Sequence, residues 1–193
     1  MSATALSGTA LLPSPRVSLP FRSGVTRVTW RRLCTLRAID LLPPNHYRLQ
    51  QDLNLPFDLG KRFDVCINNG TTEHVFNQAN CYKAIHDHTA PGGVMIHWTP
   101  CLGWIDHGLY NVQPGFFHDL ATANSYEVML ALLASNSMMV PLIPGQLTSE
   151  IVAANPAFRD SLACVVLRKT KDEPFRFPLQ GIYSYLKDAT PGS

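Results

Sequence analysis

The chain predicts an α/β protein: a Rossmann-like, mostly parallel sheet with helices on both faces, N-terminally incomplete, its last strand antiparallel. Two observations predict it. Between Phe63 and Val128 the residues run strand, polar turn, helix, Pro-Gly-Gly turn, strand, long loop, helix, strand. That alternation is the pattern of βαβ units, which build parallel sheets. Val65-Cys66-Ile67 and Leu162–Leu167 are continuous apolar runs. Strands covered on both faces read that way, whereas half-buried strands alternate.

Arg37-Ala38-Ile39-Asp40 reads as the end of one strand and Tyr47-Arg48-Leu49 as a short second one. Phe63 to Asn68 is a firm strand, and Asn68 to Thr72 form a turn. A helix is expected from there to about Asp87, capped by Thr71 or Thr72 with Glu73 in its first turn. Val75, Phe76, Ala79, Tyr82 and Ile85 give it an inward stripe. Pro91-Gly92-Gly93 turns the chain into the strand Val94–Trp98. Pro114 suits the first position of the next helix, with Phe116, Leu120 and Ala123 inward and Asn124 closing it. A strand over Tyr126–Leu133, a short helix near Thr148–Ala154 and the strand Leu162–Leu167 complete the pattern. These boundaries give a domain over 38–170, a non-native or disordered extension over 1–37, and an irregular extension over 171–193.

Composition narrows the function. A chain of 193 residues can bury a core without staples. Its net charge of +2 argues against nucleic acid and anionic membranes as partners. The five cysteines form no CxxC pair. They read as reduced thiols of a cytoplasmic protein, with Cys66 and Cys164 as small apolar residues in buried strands. No apolar run reaches the roughly 18 residues of a membrane span. Residues 1–39 have no acid before Asp40 but six arginines amid Ser, Thr and Pro. That composition is either an organelle transit segment or a start placed upstream of the true reading. Oligomeric state is open.

The strongest polar cluster is Asn68-Asn69-Gly70-Thr71-Thr72-Glu73-His74. It follows a strand and opens a helix, where free N–H groups point outward and open α/β sheets hold ligands. Gly70 permits positive φ or a close backbone approach. The same residues also read as a plain capped helix start. Seven histidines are present, but none has HExxH or His-with-Cys spacing, so no metal is expected.

FDVCINNGTTEHVFNQ resembles the fourth-strand motif of class I S-adenosylmethionine-dependent methyltransferases, in particular bacterial enzymes acting on small molecules. APGGVMIHWTP is similar to their fifth-strand motif, and QPGFFHDLATANSYEV to the helix and strand that follow. The likeness spans about residues 38–170 and is specific over 63–128.

The resemblance implies S-adenosylmethionine as cofactor and a small-molecule methyl acceptor as partner. It places Asp40 on the ribose hydroxyls, since a carboxylate suits a cis-diol. Asp52 and Leu53 would meet the adenine. Asn68, Asn69 and Gly70 would line the methionine side. Glu73 and His74 would face the transferred methyl or act as general base, with His107 a weaker candidate. Trp98, Trp104 and Tyr110 would form an acceptor pocket or simply anchor their loop. The glycine-rich loop expected before Asp40 is not recognisable in Ser18–Val28, where Gly24 stands alone and Pro20 interrupts. Weak or no cofactor binding is therefore expected. The alternative function is a non-catalytic remnant or partner-binding module.

Overall fold

The computed structural model describes residues 2–6, 35–143, 147–181 and 183. Eight strands form one sheet: β1 (Ser2–Leu6), β2 (Thr35–Asp40), β3 (Arg48–Gln50), β4 (Phe63–Asn69), β5 (Thr89–Leu102), β6 (Glu127–Ala134), β7 (Met139–Pro141) and β8 (Ser161–Arg168). The helices are α1 (Gln78–His88), α2 (Pro114–Asn124) and α3 (Thr148–Ala154), with 3-10 turns at Thr72–His74 and Pro156–Phe158. The order across the sheet is β3-β2-β1-β4-β5-β8-β6-β7. β1 to β5 are mutually parallel, while β8 runs antiparallel between β5 and β6. The antiparallel last strand is therefore as expected.

From sequence, the centre of the sheet lacks a member and residues 1–37 stand outside the domain. Ser2–Leu6 instead fills that central slot, pairing with β2 on one side and β4 on the other. Five residues are too few to show a period, so the segment leaves no sequence signal. Paired on both sides, β1 removes the open edges its absence would have left. Five of the six arginines and the position of the expected cofactor loop fall within 7–34, outside the described residues, while Arg37 lies in β2.

α1 and α2 lie side by side on one face, where Tyr82 packs on Phe116 with ring centroids 4.7 Å apart. Beneath them sit Cys66, Met95 and His97 of β4 and β5. Helix α1 starts at Gln78, not at Thr72, because the Asn77 side chain caps it by accepting the Asn80 N–H at 3.1 Å. Its buried stripe is Cys81, Tyr82, Ala84, Ile85 and His88. Phe76 and Ala79, expected inward, are exposed because they precede or begin the helix. α2 begins at Pro114 as expected, but buries Phe117, Leu120, Ala121 and Asn124. Ser125, with φ 54°, closes it. Asn124 is thereby free to grip the chain after β8, accepting from Arg176 N–H and donating to Arg176 C=O.

Residues 169–180 are irregular but held down. His86 Nε2 bonds the Glu173 carbonyl at 2.8 Å, and Lys169 Nζ donates to the His86 carbonyl at 3.0 Å. Cys66, Cys81, Cys101 and Cys164 are buried free thiols. Among the described residues no helix is long and apolar enough to cross a membrane.

Candidate active site

The order in which parallel strands are laid down reverses between β1 and β4: β2 and β3 are added on one side of β1, and β4 and β5 on the other. Such switch points leave a crevice at the carboxyl ends of the two central strands. Register shows what borders it. Leu6 at the end of β1 is level with Ile39 of β2 and Asn68 of β4. Asp40 and Asn69, each one residue further, therefore flank the exit of β1.

Asn68 is wholly buried and turned inward. Its Nδ2 donates to Thr72 Oγ1 at 3.0 Å, and its Oδ1 accepts the Thr72 N–H at 3.3 Å. The same Nδ2 lies 3.5 Å from His97 Nδ1. Asn68 thus shapes the rim from beneath. Gly70 takes φ 60° and donates its N–H to the Trp98 carbonyl at 2.9 Å, tying the turn to β5.

That geometry delivers Glu73 into an enclosed position with no side-chain exposure. Neither carboxylate oxygen has a hydrogen-bond partner among the described residues. Oε1 lies 3.6 Å from His107 Nε2 and 3.9 Å from His74 Nε2, and both histidines are part-exposed. The Glu73 carbonyl accepts the N–H groups of Leu109 and Tyr110, at 2.8 and 3.2 Å, and so pins the loop after β5. Gly108 lets the loop approach closely there, since a Cβ would stand 3.0 Å from the Glu73 carbonyl oxygen and 3.3 Å from His74 Nδ1. Trp104 and Asp106, at φ 53° and 62°, hold the loop in the left-handed region that non-glycine residues rarely occupy.

The other anticipated residues lie along the same edge of the sheet. Asp40 ends β2, with Oδ1 accepting the Leu42 N–H at 3.0 Å. Asp52 lies two residues beyond β3 and accepts from both Asn54 N and Nδ2. The Leu53 side chain belongs to the core, and its carbonyl accepts Asn80 Nδ2 at 2.7 Å. Asn54 and Asn77 clasp each other through two 3.0 Å bonds, joining the β3 loop to the start of α1. A groove of about 580 Å³ opens beside them, lined by Asn54, Phe76, Asn77, Gln78, Ala79 and Tyr110. Trp104 donates to the Ser161 carbonyl and Tyr110 to the Phe76 carbonyl, so both anchor their loop. A second hollow, about 770 Å³, lies among Phe57, Arg62, Lys83 and His88, at the amino end of β4. It is at the opposite end of the sheet from the switch point, and larger volume does not make it the site.

His74 and His107 meet through loop geometry that their spacing in sequence does not reveal. The pair Asn54–Asn77 and the internal bonds of Asn68 are likewise silent in sequence. The one available signal was the density of polar residues between Asn68 and His74.

No protein family and no curated protein matches the chain by sequence. Solved structures do resemble it. The N-methyltransferase NodS from Bradyrhizobium japonicum WM9, in complex with S-adenosylhomocysteine, is 10% identical with a TM-score of 0.54, covering 88% of this chain and 78% of that one. A methyltransferase complex with its activator from Haloferax volcanii gives 13% identity and 0.53, covering 89% and 83%. The 1,6-didemethyltoxoflavin-N1-methyltransferase of Burkholderia thailandensis, with bound 1,6-didemethyltoxoflavin and S-adenosylhomocysteine, gives 15% and 0.52, covering 88% and 71%. The fold of this chain is that of class I S-adenosylmethionine-dependent methyltransferases.

Proposed function

We propose that the protein is an S-adenosylmethionine-dependent methyltransferase acting on a small-molecule acceptor. The observation that carries this reading is the switch point: β1 emerges between Asp40 and Asn69, the two positions where a nucleoside-bearing cofactor would be gripped. The residues present fit it. Asp40 keeps one carboxylate oxygen for a ribose hydroxyl while the other holds Leu42. Gly70 presents bare backbone, and the 580 Å³ groove beside Asn54 is wide enough for a purine, with Asp52 behind Asn54. Asn69 and Gly70 would border the methionine portion, and Asn68 holds them in place.

The bound cofactor supplies an already activated methyl group on its sulfonium. The protein's share is alignment of the acceptor and exclusion of water. Glu73 and His74 stand at the acceptor side. His74, part-exposed beside the buried Glu73 carboxylate, is placed to take a proton from an acceptor oxygen or nitrogen. The test is transfer of a labelled methyl group from S-adenosylmethionine to a panel of small hydroxylated and N-heterocyclic compounds, read by mass spectrometry. Transfer lost in Asp40→Ala supports the reading, and absence of any methylated product counts against it.

A second reading, a cofactor-free remnant or partner-binding module, has one observation in its favour. Residues 7–34, between β1 and β2, hold two glycines and three prolines, a poor composition for a phosphate-free but backbone-close cofactor loop.

A further inference from the structure

The geometry points to a divalent transition-metal site formed by Glu73, His74 and His107 at the acceptor side of the crevice. Three separate facts meet there. Each residue offers one ligand atom, and these atoms all lie within 4.8 Å of one another. The carboxylate is wholly enclosed, and neither oxygen has a partner among the described residues. A buried carboxylate without hydrogen bonds is costly, and a bound cation is one of the few ways to satisfy it. The two histidines that approach Oε1, at 3.6 and 3.9 Å, do so with a ring nitrogen.

The spacing suits a first-row ion. Ligand atoms about 2.1 Å from a tetrahedral centre stand about 3.4 Å from each other. The carboxylate–imidazole separations of 3.6 and 3.9 Å need a closure of only a few tenths of an ångström, and the two imidazoles, within 4.8 Å of each other, close by rotation of part-exposed side chains. Two imidazoles and one carboxylate select Zn²⁺, Fe²⁺, Co²⁺ or Ni²⁺ over Mg²⁺ or Ca²⁺, which prefer all-oxygen shells. Three protein donors also leave coordination positions open. The surrounding fold fixes the set. Glu73 is placed by the Asn68–Thr72 bonds, and His107 by the loop that the Glu73 carbonyl pins. His107 is also braced by Trp104, edge-on at 5.0 Å between ring centroids.

The existence of the site does not depend on methyl transfer, but its role rests on that reading. An ion here would hold an acceptor oxygen and ease its deprotonation. His74 would then act as ligand rather than as free base. Sequence alone points the other way, because no metal spacing pattern is present. His107 comes from a different loop, so the set has no linear motif.

The test is titration of the full, tag-free chain with Co²⁺ alone, followed by visible d–d absorption. One equivalent should bind with the intensity of a low-symmetry nitrogen-oxygen site. Glu73→Gln and His107→Ala should each weaken binding at least about tenfold. His118→Ala, at an exposed position on α2, should leave it unchanged. Circular dichroism confirms that the variants fold, and Glu73→Gln preserves shape at the buried position. Binding equally strong in Glu73→Gln and His107→Ala, or no stoichiometric binding at all, overturns the proposal. S-adenosylhomocysteine titrated on the same samples separates the two readings. Co²⁺ binding without it leaves the metal site standing and removes the methyltransferase role. The converse removes the metal site alone.

Discussion

Asn68 holds Thr72 by two bonds, Nδ2 to Oγ1 at 3.0 Å and Oδ1 from the backbone N–H at 3.3 Å, and so fixes the turn that carries Glu73. All of these atoms are buried. Asn68→Ala would leave the buried Thr72 N–H without its acceptor and take one bond from the Thr72 hydroxyl, costing about 2 kcal/mol. Urea denaturation should show that loss at unchanged m. A variant as stable as the parent would mean that the turn is held by something else.

Glu73→Gln is expected to stabilise the metal-free chain. The carboxylate is enclosed and has no hydrogen-bond partner among the described residues, so an amide of the same shape should relieve roughly 1 kcal/mol. Thermal melts in chelator should shift upward for the variant. A downward shift would indicate that His74 and His107 already compensate the charge.

Two glycine substitutions should have opposite signs. Gly115→Ala, in the first turn of α2 with open space around it, should stabilise by about 0.5–1 kcal/mol through the unfolded chain. Gly108→Ala places a Cβ against the Glu73 carbonyl and His74, and should destabilise. Equal effects in denaturation experiments would contradict the packing of the loop on Glu73.

Acid should destabilise the fold from pH 6.5 downward. Burial against Tyr82 and Phe117, beside Asn68, lowers the His97 pKa to about 3. His86 is lowered too, first by burial. Between pH 6.5 and about 3 the unfolded chain binds the proton that folded His97 refuses. Stability is therefore full above 6.5 and falls by up to about 1.4 kcal/mol per pH unit below it for this one group. His97→Gln should flatten the pH dependence measured by urea midpoints. An unchanged slope would assign the acid sensitivity elsewhere.

The thiols should be inert in the folded state. Burial pushes Cys66 and Cys101 up to about 11 and Cys81 to about 12. Peptide-resolved maleimide labelling should modify these three only when the chain unfolds. Rapid native labelling at any of them would contradict its burial.

Much of the sheet was legible because its strands are long apolar runs bounded by turn residues. Val65-Cys66-Ile67 and Leu162–Leu167 identify β4 and β8, and Pro114 marks the start of α2. The start of α1 was misplaced because Thr71 and Thr72 look like caps, while the working cap is Asn77, two residues beyond an extended Val75. The central strand was unreadable because Ser2–Leu6 is short and small-sided; its place is decided by partners on both sides. Asn68, Glu73 and His74 stand out as a polar cluster, yet their division of labour does not. Only the folded loop shows that Asn68 faces inward and that His107 comes to Glu73.

The most direct measurement is isothermal titration of the full chain with S-adenosylhomocysteine. The central claim is that the exit of β1, between Asp40 and Asn69, grips a nucleoside-bearing cofactor. Sequence alone expects weak binding or none; with β1 in the central slot the claim instead predicts one binding event in the micromolar range. Asp40→Ala should weaken it by about tenfold or more, the worth of one charge-assisted hydrogen bond. No heat of binding at millimolar ligand would contradict it, and would leave the methyltransferase fold as a scaffold without its cofactor.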